Sequence, residues 1–210
     1  MNELLGNFVS TIIQIGIFSL IPFVFFQFRK DKTQTFKNYI GFYKPTGKSV
    51  LFVLLTSVII LISGIILVLT NEEIKEAVFA PNSVSGQIRQ MGLSVTSILT
   101  LLLIALFKTS LAEEILFRGF IAKRLTNRFG FKIGNTLQAL IFGIVHLLLF
   151  WALTRTTIIP LLIIFYLTTI AGWIIGMVKE KYANGSIIPG WIGHGIGNVL
   201  AYFIIAFILK

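Results

Sequence analysis

The chain has 210 residues, of which 56% are hydrophobic and 12% charged, and its mean hydropathy is +0.90. Soluble domains are about 45–50% apolar and about 25% charged, so the composition predicts a membrane protein and excludes a disordered chain. The absence of cysteine excludes disulfides and thiol chemistry. The net charge of +10 does not indicate a nucleic-acid partner here, because Lys and Arg collect on the cytoplasmic side of membrane proteins. The expected partner is membrane lipid.

Six apolar segments are long enough to cross a bilayer, which takes about 20 mostly apolar residues. In chain order they are 4–28, 50–70, 94–125, 133–153, 158–178 and 187–209. The third is long and is interrupted by polar residues. Because the connections are short, the sequence predicts an all-α fold, with a single transmembrane domain over 1–210. This domain is a polytopic membrane helical bundle of about six transmembrane helices.

The charges between these segments predict their orientation. If the basic segment 29–48 is cytoplasmic, twelve positive residues lie inside: Arg29, Lys30, Lys32, Lys37, Lys44, Lys48, Lys123, Arg124, Arg128, Lys132, Lys179 and Lys181. Four lie outside: Lys75, Arg89, Arg155 and Lys210. This asymmetry predicts an integral membrane protein with both termini outside. The outer segment 71–93 is expected to be a solvated loop with a short surface helix at Ile74 and Val78, and the alternative is a substrate gate.

A small set of ionisable side chains lies within the predicted spans, where each costs at least about 2.5–3.5 kcal/mol and is a functional candidate. The set is Lys108, Glu113, Glu114, Arg118, His146 and His194. Glu114 and Arg118 are spaced i, i+4 and can pair on one helix face, which leaves Glu113, about 100° away, without a local partner. His194 and Asn198 have the same spacing and also share a face.

Glu113, His146 and His194 lie at similar depths on three different helices, counted at about 1.5 Å per residue from the inner ends of the spans. The common depth predicts one shared polar cavity. A carboxylate beside an imidazole can deprotonate a water, and a second His with an Asn amide can donate to an oxyanion. One carboxylate and two imidazoles can instead hold a zinc ion with water in the fourth position. The spacing leaves both designs open.

At these residues the chain resembles the CPBP intramembrane proteases, also called the Abi family. That family includes type II CAAX prenyl endopeptidases and bacteriocin-processing and immunity proteins. Its motifs EExxxR, FxxxH and HxxxN are matched by Glu113, Glu114 and Arg118, by Phe142 and His146, and by His194 and Asn198. The match covers about 112–198. It implies a catalytic core over about 94–209, with the spans 4–28 and 50–70 at the periphery.

The resemblance also implies roles. Glu113 and His146 would activate the water, and His194 and Asn198 would stabilise the oxyanion. Glu114 with Arg118 would support the site. We therefore expect a glutamic-type intramembrane endopeptidase without a cofactor, in a bacterial plasma membrane, that acts on a peptide or membrane-anchored protein. Zinc held by Glu113, His146 and His194 is the alternative. It is disfavoured because an Asn amide is a poor zinc ligand and no free general base would remain.

Two other functions and one structural alternative stay open at this point. The chain could be a non-catalytic bacteriocin-immunity or scaffold protein, or a proton-coupled transporter, since intramembrane carboxylates also serve proton relays. The segment from Ser110 to Glu113 matches a capping box, so the third span could break near Lys108 and restart. We expect a continuous helix. In the broken alternative the Glu113 carboxylate would bind a backbone N–H, a structural role that competes with catalysis.

Overall fold

The computed structural model describes residues 2–29, 33–154 and 156–209, and these ranges form an all-α bundle without strands. In chain order the α-helices are α1 (Asn2–Gln27), α2 (Phe36–Tyr39), α3 (Gly47–Thr70), α4 (Glu72–Phe79), α5 (Val84–Gln90), α6 (Val95–Leu102), α7 (Lys123–Thr154), α8 (Ile158–Tyr182) and α9 (Ile188–Phe203). Stretches of π-helix extend them at Leu103–Leu111, Glu114–Ala122 and Ile204–Ile208. The predicted fold class is confirmed. Of the charges used to predict orientation, Lys30, Lys32, Arg155 and Lys210 lie outside the described residues.

Within the described ranges, five helices are long and apolar enough to cross a membrane: Glu3–Gln27, Gly47–Thr70, Val95–Thr154, Ile158–Tyr182 and Ile188–Ile208. The third has 60 residues and would be about 90 Å long if straight, far more than a bilayer needs. It is broken at Gly130, whose φ of 76° is readily adopted only by glycine. The parts on either side of Gly130 contain the predicted third and fourth spans.

Large apolar side chains cover the outer faces of the first two membrane-length helices. Ile12, Ile13 and Ile17 on α1 are each more than half exposed, as are Leu55 and Ile59 on α3. In water, an apolar surface of this extent would drive association, whereas in a bilayer it faces acyl chains. The chain is an integral membrane protein.

The helix that joins α6 to α7 is continuous and does not restart near Lys108. Ala112 (φ −59°, ψ −45°) and Glu113 (φ −67°, ψ −41°) have helical backbone angles between two of the π-helical stretches. The Ser110 hydroxyl donates to the backbone carbonyl of Ala105, 2.7 Å away, and does not cap a new helix. The Glu113 carboxylate is therefore not committed to a helix end. We call the part of this helix that precedes the break at Gly130, residues 95–129, the long helix.

Helix α9 packs against α3 and against the π-helical stretch Leu103–Leu111. A Cβ on Gly193 would lie 2.2 Å from Cγ1 of Val53, so only glycine permits this close approach to α3. On the other side of α9, the Trp191 indole donates to the backbone carbonyl of Leu106 at 2.6 Å. These contacts fix α9 beside the long helix.

The segment 71–93, which the charges predict to lie outside, contains the predicted surface helix and packs onto the bundle. Ile74 on α4 and Ile88 on α5 are buried. The Glu73 carboxylate accepts hydrogen bonds from the backbone N–H of Thr157 at 2.7 Å and from its hydroxyl at 2.8 Å. A carboxylate at a helix N-terminus satisfies a free N–H and complements the helix dipole, so Glu73 stabilises the start of α8.

Candidate active site

The structure brings Glu113 together with both histidines of the chain. Glu113 lies on the long helix, His146 on α7 and His194 on α9. Oε2 of Glu113 is 3.8 Å from Nε2 of His146 and 3.9 Å from Nε2 of His194. The side chains of Glu113, His146 and His194 are 16%, 26% and 15% exposed, so the cluster is sheltered but accessible. Three side chains that the sequence places at similar depths therefore lie next to one another in the structure.

Glu114 and Arg118 form the ion pair that their spacing predicts. Nη1 of Arg118 is 3.2 Å from Oε1 of Glu114, and both side chains are fully buried. The same oxygen is 3.5 Å from Nδ1 of His194, a contact between helices that the spacing could not reveal. A Cβ on Gly190 would lie 2.4 Å from Oε2 of Glu114, so α9 lies directly against this carboxylate. Glu114 therefore links Arg118 to His194.

The ring of Phe142 contacts the charged and aromatic groups of the site. The Arg118 guanidinium lies 4.1 Å from the ring centre, in a cation–π contact. The imidazoles of His146 and His194 are centred 4.2 and 6.3 Å from the ring. Phe142 and His146 are one turn apart on α7, so the FxxxH motif places an aromatic support beside its own histidine.

The two histidines are held in different ways. Nδ1 of His146 is 2.9 Å from the carbonyl oxygen of Phe142, which can only accept. Nδ1 therefore donates to this carbonyl, and Nε2 lies on the side of Glu113. His194 faces a carboxylate at each nitrogen, Glu114 at Nδ1 and Glu113 at Nε2. The site thus holds one imidazole through a backbone carbonyl and the other between two carboxylates.

Asn198, one turn after His194, is hydrogen-bonded to the long helix. Its amide nitrogen Nδ2 donates to the Thr109 hydroxyl at 3.1 Å and to the Ser110 hydroxyl at 3.2 Å. Sequence reasoning did not include Thr109, and it considered Ser110 only as a helix cap. The available signal was the presence of two adjacent hydroxyl residues in an apolar span, about one turn before Glu113.

Lys108 is not part of the cluster, although it was one of the intramembrane candidates. Its backbone carbonyl accepts a hydrogen bond from Nε2 of Gln14 on α1, at 2.8 Å. Within the part of the chain that the structure describes, no ion pair joins Lys108 to Glu113 or Glu114.

An apolar cavity of about 320 Å³ adjoins the site. It lies among α3, α8 and α9, and His194 and Asn198 form part of its wall. Most of the wall is aliphatic, with Ile60, Leu61 and Leu167 among its residues. Ligand sites typically combine such an apolar lining with a few convergent polar groups. The cluster therefore borders a space suited to an apolar part of a substrate.

Glu113, His146 and His194 offer the donor types of a zinc site. Zinc requires its nitrogen and oxygen ligands at about 2.0–2.2 Å. Among residues 2–29, 33–154 and 156–209, no three acidic or imidazole groups are placed so that they could hold a metal ion.

Comparison with protein families matches residues 95–200 to the family described as Type II CAAX prenyl endopeptidase Rce1-like. This range covers about half of the chain and runs from the start of α6 into α9. It contains every side chain of the site, including Thr109 and Asn198. No curated protein and no solved structure matches.

Proposed function

The chain belongs to the Type II CAAX prenyl endopeptidase Rce1-like family, and on this basis we propose that it is an intramembrane endopeptidase. It hydrolyses a peptide bond of a membrane-associated peptide or protein, close to the lipid anchor or span that holds the substrate. One observation carries the proposal: the Glu113 carboxylate lies within 3.9 Å of two imidazoles from two other helices. Ionisable groups are costly inside a membrane, so a cluster of them indicates function.

In this proposal Glu113 and His146 hold the attacking water. The Glu113 carboxylate and the lone pair on Nε2 of His146 both accept, and one water can donate a hydrogen to each across their 3.8 Å separation. Glu113 takes a proton as the water oxygen attacks the carbonyl carbon of the scissile bond. The C–N bond then breaks, and Glu113 gives this proton to the leaving amine, which restores the carboxylate.

His194 stabilises the oxyanion that forms on the attacked carbonyl. In this role an N–H of its imidazole donates a hydrogen bond to the oxyanion. One such donor contributes about 2.7–4 kcal/mol of transition-state stabilisation. Glu114 orients His194 through Nδ1, and Arg118 neutralises Glu114, so these two residues act by positioning.

The apolar cavity receives the apolar part of the substrate next to the cleaved bond. The family description names a CAAX prenyl endopeptidase, and a prenyl group is a hydrocarbon chain. The aliphatic wall that continues from His194 supports the assignment of a substrate with such an apolar group.

A cleavage assay tests the proposal. Purified protein in detergent is incubated with a library of fluorogenic peptides, with and without a farnesylated C-terminal Cys-aliphatic-aliphatic-X motif, and mass spectrometry identifies the products. Glu113→Gln removes the base with little change in size, and we expect it to lower kcat by about 10²–10⁴-fold. Glu76→Gln, the same exchange at an exposed carboxylate on α4, is the matched control.

Cleavage by the wild type and by E76Q, but not by E113Q, would support a glutamic endopeptidase. Folded wild-type protein that cleaves no peptide would refute the proposal and favour the non-catalytic immunity or scaffold function. Cleavage by E113Q at the wild-type rate would refute the role of Glu113.

A further inference from the structure

Three cations meet around the ring of Tyr39, where the end of α1 and the loop after it approach the long helix. The guanidinium carbons of Arg124 and Arg29 lie 4.9 and 5.7 Å from the centre of this ring. Nζ of Lys123 lies 5.5 Å from the same centre and donates to the Tyr39 backbone carbonyl at 3.0 Å. The Arg124 guanidinium donates to the Tyr39 hydroxyl. We call Arg29, Lys123 and Arg124 the Tyr39 cluster.

Neighbouring carboxylates do not balance the charge of the Tyr39 cluster. In the part of the chain that the structure describes, no ion pair joins an acidic side chain to any of the three cations. The charges of Lys179 and Glu180 both act on Lys123, but these two side chains are paired with each other. Residues 30–32, which lie outside the described ranges, add one more net positive charge in the sequence. The cluster therefore carries an excess of positive charge.

The preference of Lys and Arg for the cytoplasmic side explains why these cations lie at one end of the bundle, but not why they converge. Like charges repel, and the repulsion grows as they approach and as water is excluded. Arg29 is nevertheless partly buried, and its Nε is a buried donor without a hydrogen-bond partner among the described residues. An unpaired buried donor on a charged group is costly. An anion bound at the cluster would remove both costs.

The surroundings of the Tyr39 cluster favour a lipid as the source of this anion. The Arg124 guanidinium lies 5.6 Å from the centre of the Phe25 ring on α1, and Phe25 is 56% exposed. Phe28, next to Arg29 in the chain, is 85% exposed. Both rings lie at the end of a membrane-length helix, where acyl chains would contact them. Cations beside exposed apolar rings match a molecule that has an anionic headgroup and a hydrocarbon chain.

We propose that the Tyr39 cluster binds the phosphate of an anionic phospholipid from the cytoplasmic leaflet, with the acyl chains against Phe25 and Phe28. A guanidinium can bind two phosphate oxygens at once, which suits the two arginines to this ligand. Basic pockets between membrane helices on the cytoplasmic side bind anionic headgroups in this way. The inference goes beyond the proposed peptidase function and does not rest on it.

Native mass spectrometry of the purified protein in detergent tests the site. The protein is titrated with phosphatidylglycerol and with phosphatidylcholine of the same acyl chains, and the dissociation constant of the first bound lipid is measured. The wild type should bind phosphatidylglycerol at least about tenfold more tightly. Arg29→Gln combined with Arg124→Gln should weaken this binding about 30-fold, at about fivefold per cation, and change phosphatidylcholine binding by less than about threefold.

The matched control is Lys44→Gln combined with Lys48→Gln. Both lysines are exposed and are predicted to lie on the same side of the membrane, so the loss of net charge is equal. This control should weaken phosphatidylglycerol binding by less than about threefold, because exposed charges are screened. Thermal unfolding in lipid-free detergent confirms that each variant is folded. If the double arginine variant does not fold, R29Q alone, in the loop after α1, should weaken binding about fivefold.

Equal affinities of the wild type for the two lipids would overturn the inference. Equal losses of affinity in R29Q/R124Q and K44Q/K48Q would also overturn it, since the general positive charge of this side would then explain the preference. Displacement of phosphatidylglycerol by millimolar inorganic phosphate would show that the cluster takes free phosphate, and would overturn the lipid assignment. None of these measurements involves cleavage, so their failure and a failure of the peptidase function are distinguishable.

Discussion

Replacing Arg118 with alanine should destabilise the protein far more than replacing Glu113 with glutamine. Arg118→Ala removes the cation 3.2 Å from the Glu114 carboxylate, which has no exposed surface. Breaking a buried ion pair by removing one partner costs about 3–5 kcal/mol. The guanidinium also leaves the Phe142 ring, 4.1 Å away, which adds about 0.5–2 kcal/mol. Such a loss is a large part of the about 5–15 kcal/mol by which folded proteins are stable.

Thermal unfolding in a mild detergent, together with the yield of monodisperse protein, measures this loss. The double variant E114Q/R118M leaves no unpaired charge and should recover most of the stability that R118A loses. E113Q, at a partly exposed side chain, should change the free energy of unfolding by less than about 1 kcal/mol. Equal unfolding temperatures for R118A and E113Q would refute the division between a structural ion pair and a free base.

Three further predictions concern zinc, the Phe142 ring and the cap that Glu73 forms at the start of α8. Active protein should contain no stoichiometric zinc and should keep its activity in the presence of a chelator. One zinc per chain, with activity lost on its removal and restored by zinc, would refute the mechanism in which Glu113 is the base. Phe142→Leu should lower the free energy of unfolding by about 1–3 kcal/mol and reduce kcat/KM, because the ring supports both imidazoles; wild-type values for both would show that the ring is dispensable. Glu73→Ala should cost about 1 kcal/mol in thermal unfolding and leave kcat unchanged. The control, Glu72→Ala, removes only an exposed carboxylate that lies 3.8 Å from Nζ of Lys75, and it should cost less stability. An equal cost for the two variants would contradict the capping role of Glu73.

Contacts within one helix could be predicted from the sequence, because the helical repeat alone determines them. Glu114 and Arg118 pair as their i, i+4 spacing requires, and the all-α architecture follows from the length and hydropathy of the apolar segments. The break at Gly130 had no such signature, since a glycine in an apolar or basic stretch does not reveal its backbone angles. The connection between the third and fourth spans therefore became clear only in the structure.

Contacts between helices could not be predicted in the same way. The approach of Glu114 to His194 depends on the rotation and crossing of α9, which the packing of its glycines against neighbouring helices determines. The bonds from Asn198 to Thr109 depend in addition on a π-helical turn. Such a turn reflects the balance between local hydrogen bonds and packing, and no residue spacing records it. Depth along a span predicted which residues meet, but not which atoms face each other.

The location of Arg118 and Glu114 on a single helix has a consequence for how the chain enters the membrane. Each charge that is inserted alone costs at least about 2.5–3.5 kcal/mol. A partner four residues away is present as soon as this helix forms, before α8 and α9 have been synthesised, so the two charges can enter the membrane as one nearly neutral unit. A partner on α9 would become available only near the end of synthesis. The pair thus lets the first part of the site enter the bilayer independently, whereas Glu113 meets its histidines only when α7 and α9 arrive.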